Sequence, residues 1–321
     1  MDDAIRKAET LIEALNYIRT FRDRLTVIKL GGSAMEDPQA LTATLQDVVF
    51  MATVGLRPVL VHGGGKPIDR AMAAAGLVPR KVQGRRYTDP ETLAIVVRVL
   101  LEINSDIVAQ IRTLGGRAVG LHSHPLPVLF GQRMQLPGDE GEPIDLGLVG
   151  SVRRVDGELI RTFCDAGVVP VIPSLALEEP SQAGEQWLNV NADTAAAAVA
   201  LHLRAEKLVF LSDTPGILLD RRNPDSLITS LDAAGCAELI ARGVIDSGMI
   251  PKVEACLDAL RGGVRKTHMI DGRLRHSLLL EIYTDCGVGT EIVLQSPTQS
   301  ALESEGNGLA RPRFSELSNT R

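Results

Sequence analysis

The chain has 321 residues, of which 45% are hydrophobic and 23% charged, with a formal charge of −6. That length can bury one large core or two lobes, while the negative balance and an aromatic content of only 3% exclude a general nucleic-acid or anionic-membrane surface. Four widely spaced cysteines, Cys164, Cys236, Cys256 and Cys286, form no Cys-x-x-Cys pair, and no apolar run suits a signal peptide or a membrane span, so isolated reduced thiols in a cytoplasmic protein are expected.

The first predicted element is a helix over 1–24, in which Ile5, Ala8, Ile12, Leu15 and Ile18 recur at helical spacing opposite a charged face. Such a stripe serves either packing on the chain's own body or pairing with another subunit. Apolar runs at 25–30, 57–61, 117–121, 168–172, 207–211 and 266–270 then alternate with helical patterns near 38–54, 66–75, 90–114, 191–204, 232–241 and 251–261. This alternation predicts an α/β fold, a mainly parallel central sheet with helices on both faces. The segment 122–157, with Pro125, Pro127, Pro137 and Pro143, breaks the rhythm and reads as hairpins and a loop over the sheet edge, serving as a lid. The tail 295–321 is polar and aperiodic, the composition of a disordered segment.

Two apolar runs end in glycine clusters, Val27-Ile28-Lys29-Leu30-Gly31-Gly32-Ser33 and Val59-Leu60-Val61-His62-Gly63-Gly64-Gly65. Each reads as a buried strand opening into a turn where glycine tolerates a positive φ and lets main-chain N–H groups approach a ligand. The helix that follows each turn would direct its positive end to the same place, which suits a polyanion. Lys66-Pro67 after the third glycine departs from the P-loop pattern, and no Gly-x-Gly-x-x-Gly follows a strand, so neither common nucleotide motif applies.

Phosphoryl transfer needs charge neutralisation and in-line positioning more than a covalent nucleophile. Lys29 offers one charge. Lys252, after Pro251 at the expected first position of a helix, offers another, and a lysine in a first turn opposes the helix dipole unless an anion or solvent offsets it. In Asn189-Val190-Asn191-Ala192-Asp193 one side chain, Asn191 or Asp193, suffices to cap the next helix, leaving the others for a ligand or for holding the two lysines. Gly84-Arg85-Arg86-Tyr87-Thr88 suits a hairpin whose arginine can fork onto a carboxylate. Leu211-Ser212-Asp213-Thr214-Pro215-Gly216 leaves a strand at the same sheet edge and can line a nucleotide pocket. The pair His122-x-His124 lacks a nearby acidic or thiol partner and is not taken as a metal site.

With Lys29-Leu-Gly-Gly, His62-Gly-Gly-Gly65, Asn189-Val-Asn-Ala-Asp193, Leu211-Ser-Asp-Thr-Pro-Gly-Ile217 and Gly248-Met-Ile-Pro-Lys252 in view, the chain resembles the acetylglutamate kinases of the amino-acid kinase superfamily from about Val27 to Val293. The resemblance implies an open αβα sandwich, with a lobe of about 25–180 for N-acetyl-L-glutamate and one of about 181–294 for ATP. It implies transfer of phosphoryl from ATP, its Mg²⁺ held mainly by the nucleotide, to the γ-carboxylate in arginine biosynthesis. Lys29, Lys252, Asp193 and Gly32 would be catalytic; Gly64, Gly65, Arg86 and Asn189 would hold acetylglutamate; Ser212, Asp213, Gly216, Gly248 and Met249 would face ATP. Arginine-sensitive members carry an N-terminal helix that joins dimers into hexamers, and His268, Glu281 and Gly287 resemble their L-arginine site, with Glu281 pairing with the effector. The stretch His122-Ser-His-Pro-Leu-Pro127 replaces the Gly- and Asp-containing turn usual in the family. Two alternatives stay open at this point: a non-catalytic arginine sensor of the same fold, and a kinase acting on aspartate, glutamate or a nucleotide.

Overall fold

Eight strands, numbered with the others in chain order, assemble side by side in the computed structural model, which describes residues 1–122, 126–138, 142–180, 185–246, 248–284 and 287–295. They are β1 (Leu25–Leu30), β2 (Arg57–His62), β5 (Ala118–Gly120), β8 (Val169–Pro173), β11 (Lys207–Ser212), β12 (Ser230–Asp232), β13 (Lys266–Asp271) and β14 (Thr290–Val293). The sheet order is β12-β14-β13-β11-β1-β2-β8-β5, and every neighbouring pair is parallel except β13 with β14. β1 and β11 are buried along their whole length, as strands covered on both faces must be.

Successive side chains alternate between the two faces. Leu25 and Val27 join a core built with α6 (Gly157–Asp165), α7 (Ala192–Leu203), α8 (Ala233–Ala241) and α9 (Ile250–Arg261). Ile28 and Leu30 join the opposite core, built with α3 (Pro38–Thr53), α5 (Pro90–Thr113) and α10 (Ser277–Tyr283). Lys29 therefore falls on the α7 face, at the C-terminal edge of the central strand. The chain turns to β2 on one side of β1 and returns as β11 on the other, so this edge is the topological switch point where open α/β sheets bind ligands.

Each glycine cluster opens into a helix, α2 (Gly32–Glu36) after β1 and α4 (Gly65–Ala74) after β2. The two-stranded ribbon β3 (Lys81–Val82) and β4 (Arg85–Arg86) carries Arg86. The segment read as hairpins and a loop serving as a lid does hold a hairpin, built into a barrel. β6 (Leu129–Pro137) and β7 (Pro143–Val155) form one long hairpin that closes with β9 (Leu175–Glu178) and β10 (Trp187–Val190) into a small four-stranded barrel. Pro137 and Pro143 face each other at the hairpin's end, and β7 pairs with β10 at Val149–Asn189, so this segment buttresses the strand bearing Asn189. His124, Pro125, residues 139–141, Ser247, Cys286 and the tail 296–321 lie outside the described residues.

α1 (Asp2–Phe21) packs on the body through its last turns, where Tyr17, Ile18 and Phe21 meet the α3–α5–α10 core. Ile5, Leu11 and Ile12 stay 50%, 69% and 68% exposed. Among the described residues no helix is long and apolar enough to cross a membrane.

Candidate active site

The turns after β1 and β2 need glycine for room rather than for left-handed backbone. Gly31 has φ −79° and Gly64 φ −160°, and neither cluster contributes a positive φ, contrary to the sequence expectation. A Cβ on Gly31 would instead overlap the Leu211 carbonyl of β11, so the first turn can lie against the neighbouring strand only as glycine.

Asn191 caps α7, its Oδ1 accepting from the N–H groups of Asp193 at 2.9 Å and Thr194 at 3.1 Å. Asp193 is thereby released from capping. Its Oδ1 lies 2.8 Å from Lys29 Nζ and its Oδ2 2.7 Å from Lys252 Nζ, so one buried carboxylate spans both lysines. Burial acts to raise the Asp193 carboxyl, but the two ammonium groups prevail and hold it at about 2. Burial draws Lys29 below its ordinary range, Asp193 opposes this, and Lys252 adds to it. Lys252 sits in the first turn of α9, with Pro251 at its second position rather than its first.

Two cavities adjoin this group. The first, of about 320 Å³, is lined by Lys29, Gly32, Gly64, Gly65, Arg86, Asn189 and Asp193, so the structure brings the residues read as catalytic and substrate-holding together. Arg86 is held by Asp69 at 2.5 Å, by the Gly65 carbonyl at 3.3 Å and by Met72 Sδ at 3.1 Å. Asn189 Nδ2 donates to Thr88 Oγ1 at 3.1 Å. The second cavity, of about 490 Å³, is lined by Ser212, Asp213, Gly216, Gly248, Met249 and Lys252, together with the apolar Ile217, Leu218, Val244 and Met269. Lys252 thus lines the second cavity while its partner Asp193 lines the first. Cations at the junction of two cavities can neutralise an anionic group passing between them.

Sequence reasoning missed Asp69, Lys66 and Arg221. Asp69 is the ion partner of Arg86, which only the tertiary fold brings beside it. Lys66 lines the first cavity and pairs with Glu36 at 2.6 Å across the mouth between α2 and α4; its place directly after the triple glycine was an available signal. Arg221 lines the second cavity and pairs with Asp246 at 2.5 Å.

His268, Glu281 and Gly287 gather elsewhere, at the β13–β14 end of the sheet. There Glu281 is engaged within the chain: Oε1 lies 2.7 Å from His268 Nδ1, and Oε2 accepts from the N–H groups of Val288 at 2.8 Å and Gly289 at 3.2 Å. The turn after Gly287 therefore presents N–H groups to Glu281. A buried carboxylate must be satisfied, and His268 together with these two backbone N–H groups does so.

Among the described residues no three His, Cys, Asp or Glu side chains converge to hold a metal ion, and the carboxylate between the cavities is taken up by lysines.

Residues 24–271 match the model of the amino acid kinase family. An acetylglutamate kinase of Heliobacterium modesticaldum is 45% identical over 295 residues, covering 90% of this chain and 99% of that protein. One of Moorella thermoacetica is 46% identical, covering 90% and 98%. Among solved structures, N-acetylglutamate synthase of Neisseria gonorrhoeae, complexed with coenzyme A and N-acetyl-glutamate, superposes with a TM-score of 0.78 at 27% identity over 95% of this chain and 72% of that one. The same synthase complexed with coenzyme A and L-arginine superposes with a TM-score of 0.75 at 25% identity, with the same coverage.

Proposed function

This chain belongs to the amino acid kinase family, and within it to the acetylglutamate kinases, and from that premise we propose how its residues divide the work. It uses ATP to phosphorylate N-acetylglutamate, a step of arginine biosynthesis. An oxygen of the substrate's γ-carboxylate attacks the terminal phosphorus of ATP, the bond from that phosphorus to the bridging oxygen of ADP breaks, and the products are an acyl phosphate and ADP.

Acetylglutamate takes the first cavity, with Arg86 on its α-carboxylate and Asn189, Gly64 and Gly65 around the remainder. ATP takes the second, its base among the apolar residues and its phosphates toward Lys252. The first cavity draws most of its lining from the proposed lobe of about 25–180, with Asn189 to Asp193 added from beyond it, and the second is lined from within the proposed lobe of about 181–294. The observation that carries the reading is Asp193 spanning Lys29 and Lys252 where the cavities meet. It holds both charges where negative charge builds on the transferring phosphoryl, with Gly32 and Gly64 N–H groups completing the cradle. The described residues offer no metal-ligand set of their own, and Mg²⁺ is assigned to the nucleotide's phosphates.

Regulation and assembly belong to the same proposal. L-arginine inhibits by biasing an open–closed equilibrium through the region of His268, Glu281 and Gly287, and α1 joins dimers into a hexamer. Support comes from the exposed apolar stripe of α1 and from the related synthase having been solved with L-arginine. Buried free thiols at Cys164, Cys236 and Cys256 accord with a reducing, cytoplasmic setting. The decisive experiment is ATP turnover on N-acetylglutamate, glutamate and aspartate, with the acyl phosphate trapped by hydroxylamine. A trapped product from glutamate or aspartate in preference to acetylglutamate would overturn the substrate assignment.

A further inference from the structure

Two buried polar side chains beside the first cavity have no part in the reaction as described. His62 ends β2 with 0% exposure, and Asn104 lies on α5 with 0% exposure. Asn104 Nδ2 is 3.0 Å from the Val171 carbonyl and 3.1 Å from His62 Nε2. A carbonyl can only accept, so the nitrogen of the amide must face Val171, and its second hydrogen then points at the imidazole. His62 Nε2 is therefore the acceptor, and the ring proton sits on Nδ1. That nitrogen lies 3.1 Å from the Gly63 carbonyl and donates to it.

In a trans peptide the C=O and N–H point in opposite directions. The Gly63–Gly64 peptide is trans, since the described cis bond is Glu179–Pro180. Holding the Gly63 carbonyl against His62 turns the Gly64 N–H the other way, toward the cavity that Gly63, Gly64 and Gly65 line. We propose that His62 and Asn104 are positioning residues, a relay from the Val171 carbonyl that fixes the direction of the Gly64 N–H at the transferring group. The proposal rests on the reading of the first cavity given above.

Two further observations favour a polar relay over mere filling. Asn104 Oδ1 is buried without a hydrogen-bond partner, a cost that near-isosteric leucine would avoid. Moreover a Cβ on Gly120, at the end of β5, would overlap Asn104 Oδ1, so the fold keeps a glycine where the amide needs room. Burial, above all, draws the imidazole down to about 4, against the opposing Gly63 carbonyl and with a smaller push from His122, so the ring is neutral at physiological pH.

The test uses the full-length enzyme with His62→Leu, His62→Asn and Asn104→Leu, measuring kcat and both KM values, with ¹⁵N-histidine NMR reporting the tautomer. His62 should appear as the Nδ1–H form. His62→Leu should lower kcat by about 10²-fold, the scale of a misplaced reacting geometry, with KM for ATP unchanged. His62→Asn, which can offer an amide N–H near the position of Nδ1, should recover most of that loss. Asn104→Leu, with His62 intact, should lower kcat and shift the ring toward the Nε2–H form. An Nε2–H tautomer in the native enzyme, or a His62→Asn variant as slow as His62→Leu, overturns the proposal; should His62→Leu fail to fold, the tautomer and Asn104→Leu still decide. Lys29→Ala run alongside separates the two readings: turnover lost there but kept in His62→Leu overturns the relay alone, whereas turnover kept in both overturns the site.

Discussion

Lys29 pairs with a carboxylate and is itself almost wholly buried, so its charge is held in place before any substrate arrives. Removing one preorganised charge or donor aimed at a developing negative charge typically costs ~10²–10³ in turnover, or roughly 2.7–4 kcal/mol. Lys29→Ala should therefore fold, since Lys252 still neutralises Asp193, yet lose kcat by at least that factor; steady-state kinetics with near-native kcat would sink the assignment. Arg86 supports a different expectation. Its guanidinium is oriented by Asp69 and the Gly65 carbonyl while it lines the first cavity, and a lysine cannot reproduce a planar fork fixed in that way. Arg86→Lys should raise KM for acetylglutamate much more than KM for ATP, and equal changes in both would mark it as no substrate ligand.

The elements that placed the catalytic group were legible in the sequence because they are extreme. β1, β2 and β11 are short runs, apolar but for an occasional residue, bounded by glycine or Ser-Asp, and their predicted limits fall within a residue of the observed ones, whereas α1 ends at Phe21, three residues before the expected 24. The barrel was not legible. β9 and β10 are four residues each, too short to show a period, so the hairpin expected before them carried no sign of the strands that close it into a barrel. α10 is likewise short, and its start depends on a distant residue: its N-cap His276 has φ 59° and provides no side-chain cap, so Asp47 of α3 faces the N–H groups of Leu278 and Leu279 and meets His276 Nδ1 at 2.6 Å. Burial, outweighing those hydrogen bonds, raises the Asp47 carboxyl from 3.8 to about 6. The folded state thus binds this proton more tightly than the unfolded chain, so the contribution is most favourable below about pH 4 and declines as pH rises through 6. Asp47→Asn should gain stability relative to the native protein between pH 4 and pH 7, by up to about 3 kcal/mol. Urea unfolding at the two pH values checks this, and a difference independent of pH would show that Asp47 is not the titrating group.

At the scale of the whole molecule, α1 is the element that the chain's own packing does not account for. Helices in water draw most of their stability from burying one face, yet the first two-thirds of α1 leave Ile5, Leu11 and Ile12 largely exposed. A self-complementary stripe meets its copy across a two-fold axis, which would extend a dimer into a larger closed ring. The root of the same helix touches the region proposed for the effector. Phe21 lies under Lys207, whose Nζ is 4.6 Å from the ring centroid, and the field of Glu281 acts on Lys207. The proposed pairing through α1 and the proposed inhibition through Glu281 would therefore share a physical connection, and each ligand or contact could shift the other only through its preference for one conformation. Deleting residues 1–22 should leave active dimers that L-arginine inhibits weakly. Ile12→Glu, which keeps the Phe21–Lys207 contact, should also yield dimers but retain more of the inhibition. Light scattering behind size exclusion, with rates at millimolar arginine, measures both. If the intact protein runs as a dimer and its rate ignores arginine, the role given to α1 fails and the kinase assignment stands without it.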